Sequence, residues 1–424
     1  MNFESKLPFK YFFGWSARII VVLFSLLVAR LINGIGHEFY ASFIIVMALI
    51  NLAPIFERGM GFYIQNRISL IKSRKIAGDI FFKKFKHWLY VSIFYILFAF
   101  VCIFLFHDYI GLMQSLQNVE ILGYGGEILI AIGIFISFLL AGSNIIQKGM
   151  LGLGRDYIAI SLQAIPYVVS GLSILLLIAF FDKLEAWVVP LYFLFFLLSL
   201  TAVVLVFLVR FSIESPQVGS NDESVDSSKF SHYTLLGVLI LTSETVLAGV
   251  YLDSTDLANY GILLRVYLSI LLITSVVNQI NWSKYTETYF RSSNLAIINF
   301  LKSLAFQILI VCLFLTLVLS YRSYWMNFFH VESVLALEVH IFFSIGVLTR
   351  VVIENIATFY LATNRVLLML VTTLFQFIFV ILAILYFNDS LDIFYLSAIH
   401  MSSFVVTLLL AFIFSKTRLS KIYE

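Results

Sequence analysis

Seven ionisable side chains fall inside stretches of sequence that are otherwise apolar: Arg18, Arg30, Glu244, Arg265, Arg350, Glu354 and His400. A charge at the centre of a bilayer costs about 2.5–3.5 kcal/mol even by the mildest scales, so each is a candidate for function. Four arginines against two glutamates leave a local excess of positive charge. Arg58 and Lys148, at the ends of such stretches and offset only by Glu57, add to it. An enclosed space of that sign attracts an anion, and the planar fork of arginine suits phosphate best. Arg18 is the hardest to explain by structure alone, because its own stretch carries no acid. It stands about two helical turns in from the start, and twelve residues turn it roughly 120° away from Arg30. Arg30 is placed to snorkel to the interface. Asn51 and Arg58, seven apart, are expected to share a helical face, with Pro54 kinking the helix between them. Glu244 and Arg265 are expected at similar depth on consecutive helices, and Arg350 and Glu354 are i,i+4 neighbours. Each pair has two readings: mutual neutralisation that locks helices together, or, with His400, a path for a coupling ion.

The elements that must hold these groups follow from composition. Of 424 residues, 61% are hydrophobic and 12% charged, against roughly 45–50% and 25% in soluble domains. The long runs are apolar all round, which excludes a soluble enzyme, a disordered chain and a coiled coil. Alternating membrane strands are excluded as well. A span needs about 20 apolar residues, and twelve runs qualify. They cover 11–33, 38–59, 87–107, 127–149, 157–181, 186–209, 233–252, 258–281, 297–320, 335–362, 364–388 and 392–415. The chain is therefore read as an all-α integral membrane protein with twelve transmembrane helices. Counting from a cytoplasmic N-terminus, 21 of the 27 basic residues fall on the inner side and only Lys183 and Arg322 outside. The positive-inside rule then places both termini in the cytoplasm.

The hydrophilic stretch from Glu214 to Ser228 reads as a tether between halves of six spans. This gives an N-terminal lobe over 1–212, a cytoplasmic linker over 213–232 and a C-terminal lobe over 233–424. The halves resemble one another. Leu151-Gly-Leu-Gly-Arg155 matches Leu361-Ala-Thr-Asn-Arg365, and Cys102 matches Cys312, at an offset of 210; Tyr40-Ala41 matches Tyr260-Gly261 at 220. An even number of spans per half makes the repeat parallel, with a binding cleft between lobes near mid-membrane. That layout points to a transporter. No G-x-x-x-x-G-K-[ST] motif occurs; Gly152–Arg155 and Gly123–Gly126 read as turns. The two cysteines and seven histidines show no ligand spacing. No enzyme, catalytic residue, cofactor or metal site is expected, and no nucleic-acid partner. Residues 67–86 interleave basic and apolar side chains and read either as a segment lying on anionic lipid headgroups or as a topology signal only.

Three motifs carry a family resemblance. Ala29-Arg-Leu-Ile-Asn-Gly-Ile-Gly-His-Glu-Phe-Tyr-Ala-Ser-Phe43 resembles an "A-R-x-L-x-x-x-x-x-x-Y-G" junction between first and second helices. Asn51-Leu-Ala-Pro-Ile-Phe-Glu-Arg-Gly-Met-Gly61 resembles a "D-L-G-L-G" helix end, with Glu57-Arg58 departing from that pattern. Gly149-Met-Leu-Gly-Leu-Gly-Arg155 resembles a "Q-G-x-x-R" turn. With the six-plus-six layout, these make the chain similar to the bacterial polysaccharide repeat-unit flippases of the Wzx (O-antigen) type, in the superfamily that also holds MATE exporters and lipid II flippases. The resemblance implies two lobes in a V around a cationic cavity in the bacterial inner membrane. It also implies a polyprenyl-pyrophosphate-linked oligosaccharide as cargo, and Arg18, Arg58, Arg265 and Arg350 as the residues facing its pyrophosphate. A polysaccharide polymerase and a chain-length regulator are implied as partners. The competing transporter reading is a MATE-type cation-coupled exporter. That reading is disfavoured by the lack of any Asp or Glu between residues 5 and 37, where such exporters carry an acid in helix one. A scaffold for envelope-polymer synthesis is a third.

Overall fold

The structure, a computed structural model, describes residues 7–70, 74–105, 125–152, 156–180, 187–214, 228–331, 335–363, 365–387 and 390–419. The first half forms α1 (Leu7–Ile35), α2 (His37–Ile50), α3 (Ala53–Glu57), α4 (Met60–Leu70), α5 (Arg74–Leu105), α6 (Gly125–Gly152), α7 (Asp156–Phe180) and α8 (Val188–Glu214). The second half forms α9 (Ser228–Tyr251), α10 (Ser254–Arg291), α11 (Ser293–Ser320), α12 (Arg322–Phe328), α13 (Leu337–Ala362), α14 (Val366–Tyr386) and α15 (Ile393–Leu419). Most of the expected tether, 215–227, lies outside the described residues, as do residues 153–155 and Asn364 of the matched turns, Gly123 and Tyr124, and Lys183.

Within the described residues the expected spans lie on helices, the run 38–59 being divided between α2 and α3. Ten stretches of the described residues are long and apolar enough to cross a membrane; the runs at 87–107 and 233–252 lie on α5 and α9. Large apolar side chains such as Leu309, Phe94 and Leu382 are exposed on the outside of the bundle, a surface that only a hydrocarbon environment stabilises. The chain is thus a multi-pass membrane fold.

One expectation is corrected here. The run 38–59 is not one kinked helix. It breaks at Asn51–Leu52, restarts with Pro54 in the first turn of α3, and ends at Arg58, whose φ of 52° is left-handed, as is that of Gly59 at 65°. Asn51 and Arg58 therefore do not share a face. Carbonyls freed by the break find side-chain donors, as membrane interiors require. The Ser137 hydroxyl donates to the carbonyls of Leu49 and Ile50, both at 3.1 Å, and the Trp88 indole N–H donates to that of Phe56 at 2.6 Å. The structure also places part of 67–86. Ile68, Phe81 and Phe85 are buried against Ile64, Trp88 and Met150, and Ile80 is buried as well, so the apolar side chains described in this segment pack into the bundle. Its lysines Lys83 and Lys86 stay exposed on the opposite face.

The two halves meet along α1, α2 and α10. Ala17, Val21, Ile160, Ala164, Val276 and Ile280 form one apolar cluster from α1, α7 and α10. A Cβ at Gly261 would run into Ile44, so glycine there sets the close approach of α10 to α2. Contacts also join the halves at both ends of the bundle. At the end where α1 begins, Phe62 stacks on Trp282 with ring centroids 5.0 Å apart. The Trp282 indole donates to Asn66 (2.6 Å), and the Asn66 amide donates to the Leu361 carbonyl (3.2 Å). At the far end the Asn33 amide donates to the Phe329 carbonyl at 2.7 Å. The Arg30 guanidinium lies 4.2 Å over Phe328, so it meets an aromatic ring from the other half near the far end of α1.

Candidate anion-binding site

Arg18 is carried by α1 and buried. One of its terminal nitrogens donates to the Gln163 carbonyl oxygen of α7 at 2.5 Å. The Gln163 amide in turn donates to Gln147 and lies 3.4 Å from the Asn144 oxygen, both on α6. Arg18 Nε and the Gln147 amide nitrogen are buried with no hydrogen-bond partner. No acid lies within salt-bridge distance of Arg18 among the described residues. It is a guanidinium held by amides, which orient it without neutralising it.

Arg265 comes from α10 and reaches across to the first half. It donates to the Ser25 carbonyl on α1 at 3.1 Å and lies 4.8 Å over the Phe43 ring on α2. It too has no acidic partner among the described residues. Tyr167 on α7 is within electrostatic reach of both Arg18 and Arg265, and Tyr40 and Tyr192 are within reach of Arg265. Two cations and three phenols are thus gathered around α1, α2, α7, α8 and α10. Aromatic faces and phenol hydroxyls beside guanidinium forks suit a ligand that is part sugar, part phosphate.

The other predicted groups separate from this cluster. Glu244 on α9 does not pair with Arg265. Its carboxylate meets His400 Nδ1 on α15 at 2.8 Å and accepts from the Tyr260 hydroxyl on α10, all three groups being buried. Similar depth does not bring the two together, because Arg265 turns to Ser25 and Phe43 of the first half while Glu244 turns to Tyr260 and His400. Arg350 and Glu354 on α13 do pair, at 2.8 Å, with Arg350 also 5.4 Å from the Phe404 ring. Arg58 is exposed at the left-handed turn after α3. Lys148 is salt-bridged to buried Glu57 and sits 3.4 Å over Phe62. Arg18 and Arg265 are therefore the pair brought near one set of tyrosines. Gln147, Gln163 and Asn144 were missed, although amides inside apolar runs signal an interior partner as charges do.

A second polar network stands in α10, α11 and α13. Gln307 and Asn355 exchange reciprocal amide bonds at 2.8 and 3.0 Å. The Gln307 amide also lies 2.9 Å from the Asn278 oxygen and 3.2 Å from the Ser303 hydroxyl, to which Asn281 donates at 3.0 Å. Its groups satisfy one another and read as helix glue, worth about 0.6 kcal/mol per bond in membranes.

Comparison with solved structures identifies the fold as that of MOP-superfamily transporters. A crystal structure of MATE in complex with MaL6 is 14% identical, with 97% of each chain covered and a TM-score of 0.64. The lipid II flippase MurJ, in an inward closed conformation, is 11% identical over 96% of this chain and 87% of that one, with a TM-score of 0.63. A MOP superfamily transporter from Pyrococcus furiosus Vc1, described as having a binding pocket of reverse polarity, is 14% identical over 99% and 96%, with a TM-score of 0.62. No family model matches the chain, and no curated protein matches it. At this identity the likeness establishes the fold, shared by drug transporters and a lipid flippase alike.

Proposed function

We propose that this protein is a flippase that moves a polyprenyl-pyrophosphate-linked oligosaccharide, an O-antigen or capsule precursor, from the cytoplasmic to the outer leaflet. The observation that carries the reading is the pair Arg18 and Arg265, inside the bundle with no carboxylate partner among the described residues. A bare guanidinium in a membrane is costly unless an anion visits it. Arg18 and Arg265 bind the pyrophosphate, Tyr167 and its neighbours stack on sugars, and the lipid tail stays in the bilayer. Arg58 and Arg350 are secondary contacts at most in this reading, one exposed and the other paired.

In this reading residues 1–212 and 233–424 are two lobes joined by a cytoplasmic linker over 213–232 and related by a parallel repeat. Both termini are cytoplasmic, and the chain sits in a bacterial inner membrane beside a polysaccharide polymerase and a chain-length regulator. Rocking of the lobes alternately breaks the contacts at Phe62–Trp282 and at Asn33–Phe329. Outward movement of an anion is driven by the interior-negative potential at about 2.3 kcal/mol per charge per 100 mV. The test is Arg18→Ala and Arg265→Ala in a cell that depends on this chain for surface polysaccharide. The reading expects polysaccharide to disappear while membrane abundance stays normal; unchanged polysaccharide in both variants overturns it.

One observation favours a cation-coupled small-molecule exporter instead. Glu244 is an acid buried in the bundle beside His400 and Tyr260, an arrangement that can take up and release a cation or proton. That reading expects efflux of organic cations that Glu244→Gln abolishes and Arg18→Ala spares.

A further inference from the structure

A second site lies on the flank of the bundle, apart from the central arginines. A cavity of about 520 Å³ opens between α1, α10 and α11, lined by Phe12, Trp15, Val277, Asn281, Lys284, Asn299, Lys302, Ser303 and Phe306. The lining follows helical periodicity. On α10, Val277, Asn281 and Lys284 are spaced i, i+4, i+7; on α11, Asn299, Lys302, Ser303 and Phe306 are spaced i, i+3, i+4, i+7. Lys284 and Lys302 lie eight and ten residues on either side of Ser292, which separates the two helices, so their ammonium groups stand at similar depth. Both are exposed, and neither has an acidic partner among the described residues. The floor is polar and built: Asn281 and Ser303 are buried and bonded to each other at 3.0 Å, continuous with the Gln307–Asn355 network. One wall is aromatic, Trp15 stacking on Phe306 at 6.2 Å.

Away from the lysines the cavity continues into an apolar track. On α11, Phe306, Leu309 and Leu313 repeat at i, i+3, i+7, all exposed; on α1, Ile19 and Leu23 follow Trp15 and are exposed too. From Lys302 to Leu313 is eleven residues, about 16 Å of helix, close to half the roughly 30 Å hydrocarbon thickness. Cationic heads, a hydroxyl-and-amide floor and a leaflet-deep greasy track are the complement of a phosphorylated lipid.

We propose that this flank cavity binds the phosphate of a membrane lipid, with Lys284 and Lys302 holding the phosphate oxygens and the tail lying along Leu309, Leu313, Ile19 and Leu23. Two sources supply that chemistry: a bulk anionic phospholipid, or a polyprenyl phosphate carrier. The site does not depend on the arginine cluster, so it can fail while the flippase reading holds, and the reverse.

The test is lipid binding by the purified full-length chain in neutral detergent, followed by native mass spectrometry. The probes are dioleoyl phosphatidate, C55 polyprenyl phosphate and, as the uncharged control, dioleoylglycerol. The wild type is expected to bind at least one phosphorylated probe more tightly than dioleoylglycerol. Lys284→Ala/Lys302→Ala is expected to lose about tenfold in that affinity, an effect the size of one strong charge-assisted contact, with unchanged elution as an intact monodisperse protein. Lys284→Arg/Lys302→Arg keeps the affinity. A wild-type preference for phosphatidate, or equal binding of both phosphorylated probes, assigns the site to bulk phospholipid, and a preference for polyprenyl phosphate assigns it to the carrier. Equal affinity of the double alanine variant and the wild type, or no preference for phosphate over dioleoylglycerol, overturns the proposal and leaves two lysines that only snorkel to the interface.

Discussion

The interior charges fall into two groups that are handled in opposite ways. Glu244 meets His400 and Tyr260, Arg350 pairs with Glu354 through its Nε, and Lys148 pairs with Glu57. Around α1 and α7, Arg18 is held only by neutral amides, and Arg265 leaves its own half to rest on the Ser25 carbonyl and the Phe43 ring. A carboxylate partner cancels a charge; an amide or a ring aims it and leaves its field intact. The same residue type is thus neutralised on α13 and left without a carboxylate on α1 and α10. Counting arginines along the sequence cannot make that distinction.

The contrast can be broken in stability measurements. The largest effect is expected at Glu244. Glu244→Ala leaves His400 and Tyr260 buried without their acceptor, and a broken buried pair costs about 3–5 kcal/mol, read as a clear fall in the thermal midpoint of the purified protein. Glu244→Gln, which keeps an acceptor oxygen, should fall less. A midpoint unmoved by Glu244→Ala would remove the structural role of this cluster.

Arg18 should behave in the opposite sense. Arg18→Met removes an unpaired charge and one hydrogen bond, so stability should change by no more than about 1 kcal/mol while transport is lost. A destabilisation as large as that of Glu244→Ala would make Arg18 a packing residue. Arg265→Lys keeps the charge but surrenders the fork and the stack on Phe43, and transport should drop about tenfold rather than vanish. The smallest effect is expected for Arg350 and Glu354. As a partly exposed i,i+4 pair their coupling in a double-mutant cycle should be about 0.3–0.5 kcal/mol. A coupling several times larger would mean that this pair, too, carries part of the interior chemistry.

The helices were legible because hydrocarbon solubility is written into every residue of a span: the runs 157–181 and 11–33 fall on α7 and α1 almost end to end. Interruptions were less so. Pro54 announced a disturbance, but the break after Ile50 and the left-handed turn at Arg58-Gly59 rest on donors supplied by Ser137 and Trp88 from other helices. The burial of Ile68, Ile80, Phe81 and Phe85 was not legible, because an amphipathic stripe looks the same whether its apolar face meets a leaflet or the inside of a bundle. The pairing of Glu244 with His400, 156 residues away, leaves no periodic trace. Arg18 and Arg265 were legible as candidates because charges stand out in apolar runs. Their shared surroundings were not, since Gln163, which holds Arg18, and the α6 amides that hold Gln163 are ordinary residues until the fold brings them together.

The most direct test is translocation itself. Purified protein in proteoliposomes, loaded with a polyprenyl-pyrophosphate oligosaccharide and probed for sugar exposure by an impermeant lectin, would compare wild type, Arg18→Met/Arg265→Met and Glu354→Gln. The account predicts transfer by wild type and Glu354→Gln and none by the double arginine variant, at equal reconstitution and equal thermal stability. Undiminished transfer by the double arginine variant would contradict it.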